Sequence, residues 1–153
     1  MARIEPDPIM GHPADLLPGE KPVTEFRPDA LVYWRAHLVM AVILGTGAGL
    51  LLLWLQNPYP VVGPVGAVMA IAARAAFVLP EAMGEVWRLT DRRLLGPGGR
   101  AITLAQVQSA RPFLGAVQIT TTTGALHLVK YQSDPPAVAF LLMTAAGRKP
   151  RHG

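Results

Sequence analysis

The sequence predicts an α+β membrane protein in which a transmembrane helical hairpin is followed by a small curved antiparallel sheet, or partial barrel, capped by a C-terminal helix. Three observations carry this expectation. Only 16% of the 153 residues are charged, well below the roughly 25% usual for soluble domains. Two apolar runs of about twenty residues follow one another in the first half of the chain, and at ~1.5 Å rise per residue each matches a ~30 Å hydrocarbon core. Behind them, short stretches rich in β-branched residues alternate at the strand period between Gly and Pro turns. The length excludes a large multidomain enzyme. The absence of cysteine excludes a disulfide framework, a thiolate nucleophile and a cysteine-ligated zinc site.

Residues 1–35 form a polar, Pro-rich N-terminal arm with six acidic and four basic residues. The arm lacks the apolar core of a secretory signal. Leu16-Leu17-Pro18-Gly19-Glu20, followed by Val23 to Asp29, predicts a turn and then a short strand or an amphipathic surface segment. Leu31 to Trp34 would dip into the membrane interface.

The hairpin occupies residues 36–84. Ala36 to Gln56 carries no formal charge and is bracketed by Trp34, Arg35, Trp54 and Tyr59, the residue types that anchor spans at interfaces. Asn57-Pro58-Tyr59-Pro60 is an uncharged tip. The second span, Val61 to Pro80, contains Arg74, which is expected to snorkel towards the headgroups in preference to pairing with a partner. Gly45 and Gly49 on the first helix, and Gly66 and Ala70 with Arg74 on the second, form small-residue stripes that predict close packing within the hairpin. His37 is read as an interfacial hydrogen-bonding residue rather than a ligand of haem or chlorophyll. Arg35, Arg88, Arg92 and Arg93 lie on the side opposite the uncharged tip. The positive-inside rule then places both termini in the cytoplasm of a bacterial inner membrane.

Residues 85–147 read as a folded domain, and residues 148–153 as a basic tail that sits at anionic headgroups or in solvent. Glu85 to Thr90, Arg93 to Leu95 and Ala101 to Leu104 are three short strands separated by Asp91-Arg92 and Gly96-Pro97-Gly98-Gly99. Ala105 to Gln108 is a connection or a fourth strand. Gly115 to Thr123 and Ala125 to Tyr131 make the clearest hairpin. Asp134 caps a helix with Pro135 at its first position, whose Val138, Phe140, Leu141, Leu142 and Met143 are expected to pack on the sheet.

Trp87-Arg88-Leu89-Thr90-Asp91-Arg92-Arg93-Leu94, the glycine turn, Ile102 to Val107, the Gly115 to Tyr131 hairpin and Asp134-Pro135 together resemble the bacterial pleckstrin-homology-like domain found behind two transmembrane helices. The resemblance implies a bent sheet or partial barrel serving as a membrane-attached scaffold. In the arm, Leu17-Pro18-Gly19-Glu20 and Phe26-Arg27-Pro28-Asp29 resemble the opening of the photosynthetic reaction-centre assembly proteins of purple bacteria. That second likeness implies an assembly role.

No phosphate loop, His-x-x-x-His pair or supported Ser-His-acid arrangement is present. Asp91 and Asp134 are explained by a turn and a helix cap. The expectation is a non-catalytic protein without a cofactor or metal. Charge is unevenly divided: residues 74–153 hold ten basic and four acidic groups, whereas residues 1–73 hold four basic and six acidic. Arg74, Arg88, Arg92, Arg93 and Arg100 are the candidate contacts to anionic phospholipid or to a partner. Nucleic acid is not an expected partner, because no basic stripe is interleaved with aromatics. The leading expectation is an accessory or assembly factor of a photosynthetic or respiratory membrane complex, contacting it through the Gln118, Thr120 and Thr122 face or an open sheet edge. The alternative is a tethered anionic-lipid-binding module.

Overall fold

The computed structural model describes residues 14–148; the start of the arm and the tail cations Lys149 and Arg151 lie outside the described residues. Ala30–Pro80 forms one compact unit, and the described residues on either side of it, 14–29 and 81–148, form the other.

The first unit is a helical hairpin. Helix α1 spans Ala30–Trp54 and helix α2 spans Val62–Gly84, with Pro80 inside it. Both are long and apolar enough to cross a membrane. Of the most apolar stretch of each, only 17% and 6% of residues are buried, the reverse of what a helix in a soluble core would show. Helix α1 begins six residues before the expected span, so Leu31 to Trp34 belong to its first turns rather than to the arm.

The buried stripe of α1 is Tyr33, His37, Ala41 and Gly45. This four-residue spacing makes the ridge that packs against a neighbouring helix. The Tyr33 hydroxyl donates to the Ala75 carbonyl (2.6 Å), and its ring lies 4.2 Å from that of His37. His37 Nδ1 is 2.9 Å from the Tyr33 carbonyl. Gln56, at φ 54°, closes α1: its N–H donates to the Leu53 carbonyl and that of Asn57 to the Leu52 carbonyl, the Schellman pattern.

The second unit holds seven strands and a helix. They are β1 (Pro22–Phe26), β2 (Trp87–Thr90), β3 (Arg93–Leu95), β4 (Ala101–Thr103), β5 (Val107–Phe113), β6 (Ala116–Thr121), β7 (Leu126–Val129) and helix α3 (Pro135–Ala145). The expected single curved sheet or partial barrel is not what forms. Strands β1-β2-β3-β4 make one open antiparallel sheet and β5-β6-β7 a second, neither closing on itself. The break falls at a 3-10 turn, Leu104–Gln106, where the Thr103 and Gln106 side chains form a reciprocal capping box. That turn interrupts the ladder between β4 and β5. The pleckstrin-homology-like architecture is thereby corrected to two open sheets.

One core serves both sheets and α3. Phe26, Trp87, Leu89, Leu94 and Ile102 from the first sheet meet Val107, Val117, Ile119 and Val129 from the second, with Val138, Leu142 and Met143 from the helix. Phe140 and Leu141, expected in that packing, are exposed. Gly96 lies under the Trp87 indole, where a Cβ would come within 2.6 Å of the ring. Asp134 caps α3 by accepting from the Ala137 N–H.

Strand β1 settles the alternative left open for the arm. It pairs antiparallel with β2, with Glu25 opposite Arg88 and Phe26 opposite Trp87. The segment after it is held as well: the Asp29 N–H donates to the Tyr131 carbonyl (2.7 Å). Residues on both sides of the hairpin therefore build one sheet.

Candidate functional site

The cationic cluster expected to face lipid is divided by the fold. Arg93 donates from Nε to Glu20 Oε1 (3.0 Å) and from Nη2 to Oε2 (2.7 Å), a two-pronged pair of the kind guanidinium and carboxylate form best. The Glu20 side chain has no exposed surface. Its Oε1 also accepts from the Thr90 hydroxyl (2.6 Å) and its Oε2 from the Leu17 N–H (2.7 Å). The Arg93 hydrogen bonds, ahead of those from Thr90 and Leu17, hold the Glu20 carboxyl down at about 2 against the opposing effect of burial.

This cluster explains the Leu-Pro-Gly-Glu segment. Gly19, at φ 78°, follows Pro18 in a turn closed by the Glu20 N–H on the Leu17 carbonyl, the Pro-Gly order of a type II turn. The turn delivers Glu20 to the β2–β3 corner, where Lys21 and Asp91 also bond to each other. Arg88 is engaged similarly, 3.0 Å from Glu25 across the β1–β2 ladder. Arg27 and then Arg88 lower the Glu25 carboxyl below its ordinary range. Arg88 and Arg93 therefore fasten the arm to the sheet through Glu25 and Glu20. Arg92 and Arg100 are exposed and take part in no ion pair among the described residues.

Within the hairpin, the small residues also separate. Gly45 and Gly49 lie over Pro64, where a Cβ on Gly49 would come 3.0 Å from Pro64 Cγ. Gly66 has nothing within 4 Å of such a position, and Ala70 and Arg74 are exposed. The close approach on α2 is made instead by Gly63, against the Ala48 backbone (3.0 Å) and Leu52 (2.9 Å). The expected Gly66–Ala70 packing stripe is therefore one face away from the real seam, which runs from Gly63 and Pro64 towards Ile71 and Ala75.

The face with the most open chemistry belongs to the second sheet. The β5–β6–β7 register places Ser109, Thr120 and Leu126 in one row and Arg111, Gln118 and Leu128 in the next. Phe113 and Ala116 follow at the β5–β6 end. The opposite face carries Ala110, Val117, Ile119 and Val129 into the core. Leu126, Leu128 and Phe113 are exposed, and Leu114 at the tip is 91% exposed. Thr122, expected on this face, lies beyond β6 and donates its N–H to the Gln106 carbonyl.

The open edge expected as a contact surface is blocked at β5. The Ala110 N–H donates to the Met143 sulfur of α3 (3.2 Å). Two residues on, Pro112 has no N–H to offer. The strand itself was missed over residues 109–113 because Arg111-Pro112 breaks the alternation. Proline is tolerated there because the strand is an edge.

A smaller cavity of about 270 Å³ lies between the sheets, lined by Arg100, Ile102, Gln106, Thr121 and His127 among others. Burial, and then the nearby Arg100 charge, lower the His127 pKa. Its ring meets Trp87 edge-on at 6.3 Å, and the Trp87 indole N–H is buried without a hydrogen-bond partner among the described residues. No group of three His, Cys, Asp or Glu side chains comes together among the described residues.

No family model, curated protein or solved structure matches this chain. The photosynthetic reading, which rested on the arm's resemblance alone, finds no support: no comparison backs it, the sheets behind the arm are open, and the segment that carried the likeness is an integral strand and corner of this fold.

Proposed function

We propose that this protein is a non-catalytic accessory or assembly subunit of a larger integral membrane complex in the bacterial inner membrane. Its hairpin packs among helices of that complex, and its two-sheet unit makes a second contact in the cytoplasm. The observation that carries this reading is the outer face of β5–β7, where Leu126, Leu128 and Phe113 stand exposed beside Gln118 and Thr120. Leu126 and Leu128 on β7 and Phe113 on β5 flank the neutral Gln118 and Thr120 of β6, and a face that mixes exposed apolar and hydrogen-bonding groups in this way suits a protein surface better than water. Joining two modest contacts through one chain raises the effective concentration of each.

Two features support the orientation. The β1–β2 pairing supports a reading in which both flanks of the hairpin lie on one side of the bilayer. The uncharged tip, set against the arginines of the flanks, favours the cytoplasm as that side.

The test is gentle extraction of the tagged full chain from native membranes, followed by size separation and mass spectrometry. A stoichiometric complex of defined mass is expected. Leu126→Ser combined with Leu128→Ser should lower partner recovery at least threefold while leaving the amount of the chain itself unchanged. Recovery of the chain alone, under conditions that preserve other membrane complexes, would overturn the reading.

A further inference from the structure

A groove of about 700 Å³ opens on the β5 side of the same sheet face, where the strands meet the end of α3. That volume falls within the roughly 300–1,000 Å³ of small-molecule sites. Arg111 lines it from β5 and Arg148 from just beyond α3, with Ser109, Gln118 and Thr120 supplying neutral hydrogen-bonding groups. Among the described residues no carboxylate lines it. Neither arginine takes part in an ion pair among the described residues, whereas Arg27, Arg88 and Arg93 each meet a glutamate. Two guanidinium groups brought to one cavity without an acid repel each other and leave a positive potential, which an oxyanion relieves.

Both cations stand on fixed backbone. Arg111 is paired across the ladder with Gln118, and Ser109 with Thr120. The Arg148 N–H donates to the Met143 carbonyl (2.9 Å) and the Gly147 N–H to the Thr144 carbonyl (3.0 Å). Gly147 is at φ 68°. This is the Schellman closure that glycine makes without steric cost. Met143, which lines the groove, also accepts the Ala110 N–H on its sulfur. One methionine thus joins the two elements that carry the two charges.

We propose that this groove binds a phosphate group, either on a soluble molecule or as the headgroup of an anionic phospholipid. Arg111 and Arg148 supply the charge, and Ser109, Gln118 and Thr120 supply neutral hydrogen bonds. The guanidinium fork suits phosphate oxygens in pairs, and the volume leaves room for the group that the phosphate esterifies. This inference does not rest on the accessory-subunit reading, since either function can hold without the other.

The test uses the full chain in nanodiscs. In phosphatidylcholine alone, inorganic pyrophosphate is titrated by calorimetry. In a parallel arm, hydrogen exchange of residues 107–113 and 143–148 is compared between phosphatidylcholine and phosphatidylcholine containing phosphatidylglycerol. Pyrophosphate binding assigns a soluble phosphate, and slower exchange with phosphatidylglycerol assigns a headgroup. Either response is expected to weaken about tenfold in Arg111→Gln and in Arg148→Gln and to persist in Arg100→Gln, a control for net charge. Both substituted side chains are exposed, and unchanged melting temperatures confirm that the variants fold. The proposal is overturned by no response in either arm, or by an equal loss in Arg100→Gln.

Discussion

Glu20 receives hydrogen bonds from Arg93, Thr90 and the Leu17 backbone while its side chain is shut away from solvent. Removing one member of such a cluster leaves the others desolvated and unpaired. Glu20→Gln is therefore expected to destabilise the sheet unit by about 3 kcal/mol, the lower end for a buried pair because Arg93 keeps some exposure. Calorimetric melting of the reconstituted chain measures it. Replacing the pair together, Glu20→Leu with Arg93→Met, removes the unpaired guanidinium but leaves the Leu17 N–H without its acceptor, so it should recover part of the loss, and an equally unstable double variant would contradict this account. The acid dependence has a definite sign. The Glu20 carboxyl ionises at about 2 in the fold against 4.5 for the ordinary group, so its contribution is full above pH 4.5 and disappears as the pH falls towards 2. In Glu20→Gln, that part of the acid sensitivity should vanish. The partner of Arg93 was not legible in the sequence because charge counting registers only sign and neighbourhood. Its carboxylate lies 73 positions earlier.

At the scale of elements, the hairpin separates glycines by what faces them. Gly63→Ala must push a methyl to within 3.0 Å of the Ala48 backbone, which cannot yield as a flexible side chain can. Gly66→Ala meets nothing within 4 Å. The first substitution is expected to lower the melting temperature of the detergent-solubilised chain by several degrees, about 1–3 kcal/mol of overpacking; the second should leave it unchanged. Equal effects would mean that the seam lies elsewhere. The two long helices were legible as uninterrupted apolar runs, although α1 starts six residues before the expected span and α2 ends four residues after it. The seam was not, since small residues recur on more than one face of α2 and sequence spacing alone does not choose among them. The strand β5 was hidden for a related reason. Its Pro112 argues against a central strand, and only the tertiary fold reveals it as an edge covered by Met143.

For the whole molecule, the orientation is open to direct measurement because the chain has no cysteine of its own. Tyr59→Cys, at the hairpin tip, should react with a membrane-impermeant maleimide from the periplasmic side. Thr123→Cys, in the β6–β7 turn, should react only after the inner membrane is opened. Labelling of both positions from one side would refute a spanning hairpin. Mixed helix and sheet content was evident from the pattern of spans and short strands. Their arrangement as two open sheets was not, because a three-residue turn at Leu104–Gln106 decides it and long-range pairings decide the rest.

The pairing of β1 with β2 also bears on how the protein is made. Chain synthesis releases β1 first, yet its partner emerges only after the 60 residues between Phe26 and Trp87, a stretch that contains both long apolar helices. Until then the strand is a bare edge with no ladder. If the second helix fails to return through the bilayer, the two strands are left in different compartments and the sheet cannot form. For a hairpin that crosses a bilayer, completion of this sheet would therefore depend on the second helix returning to the side of the first strand.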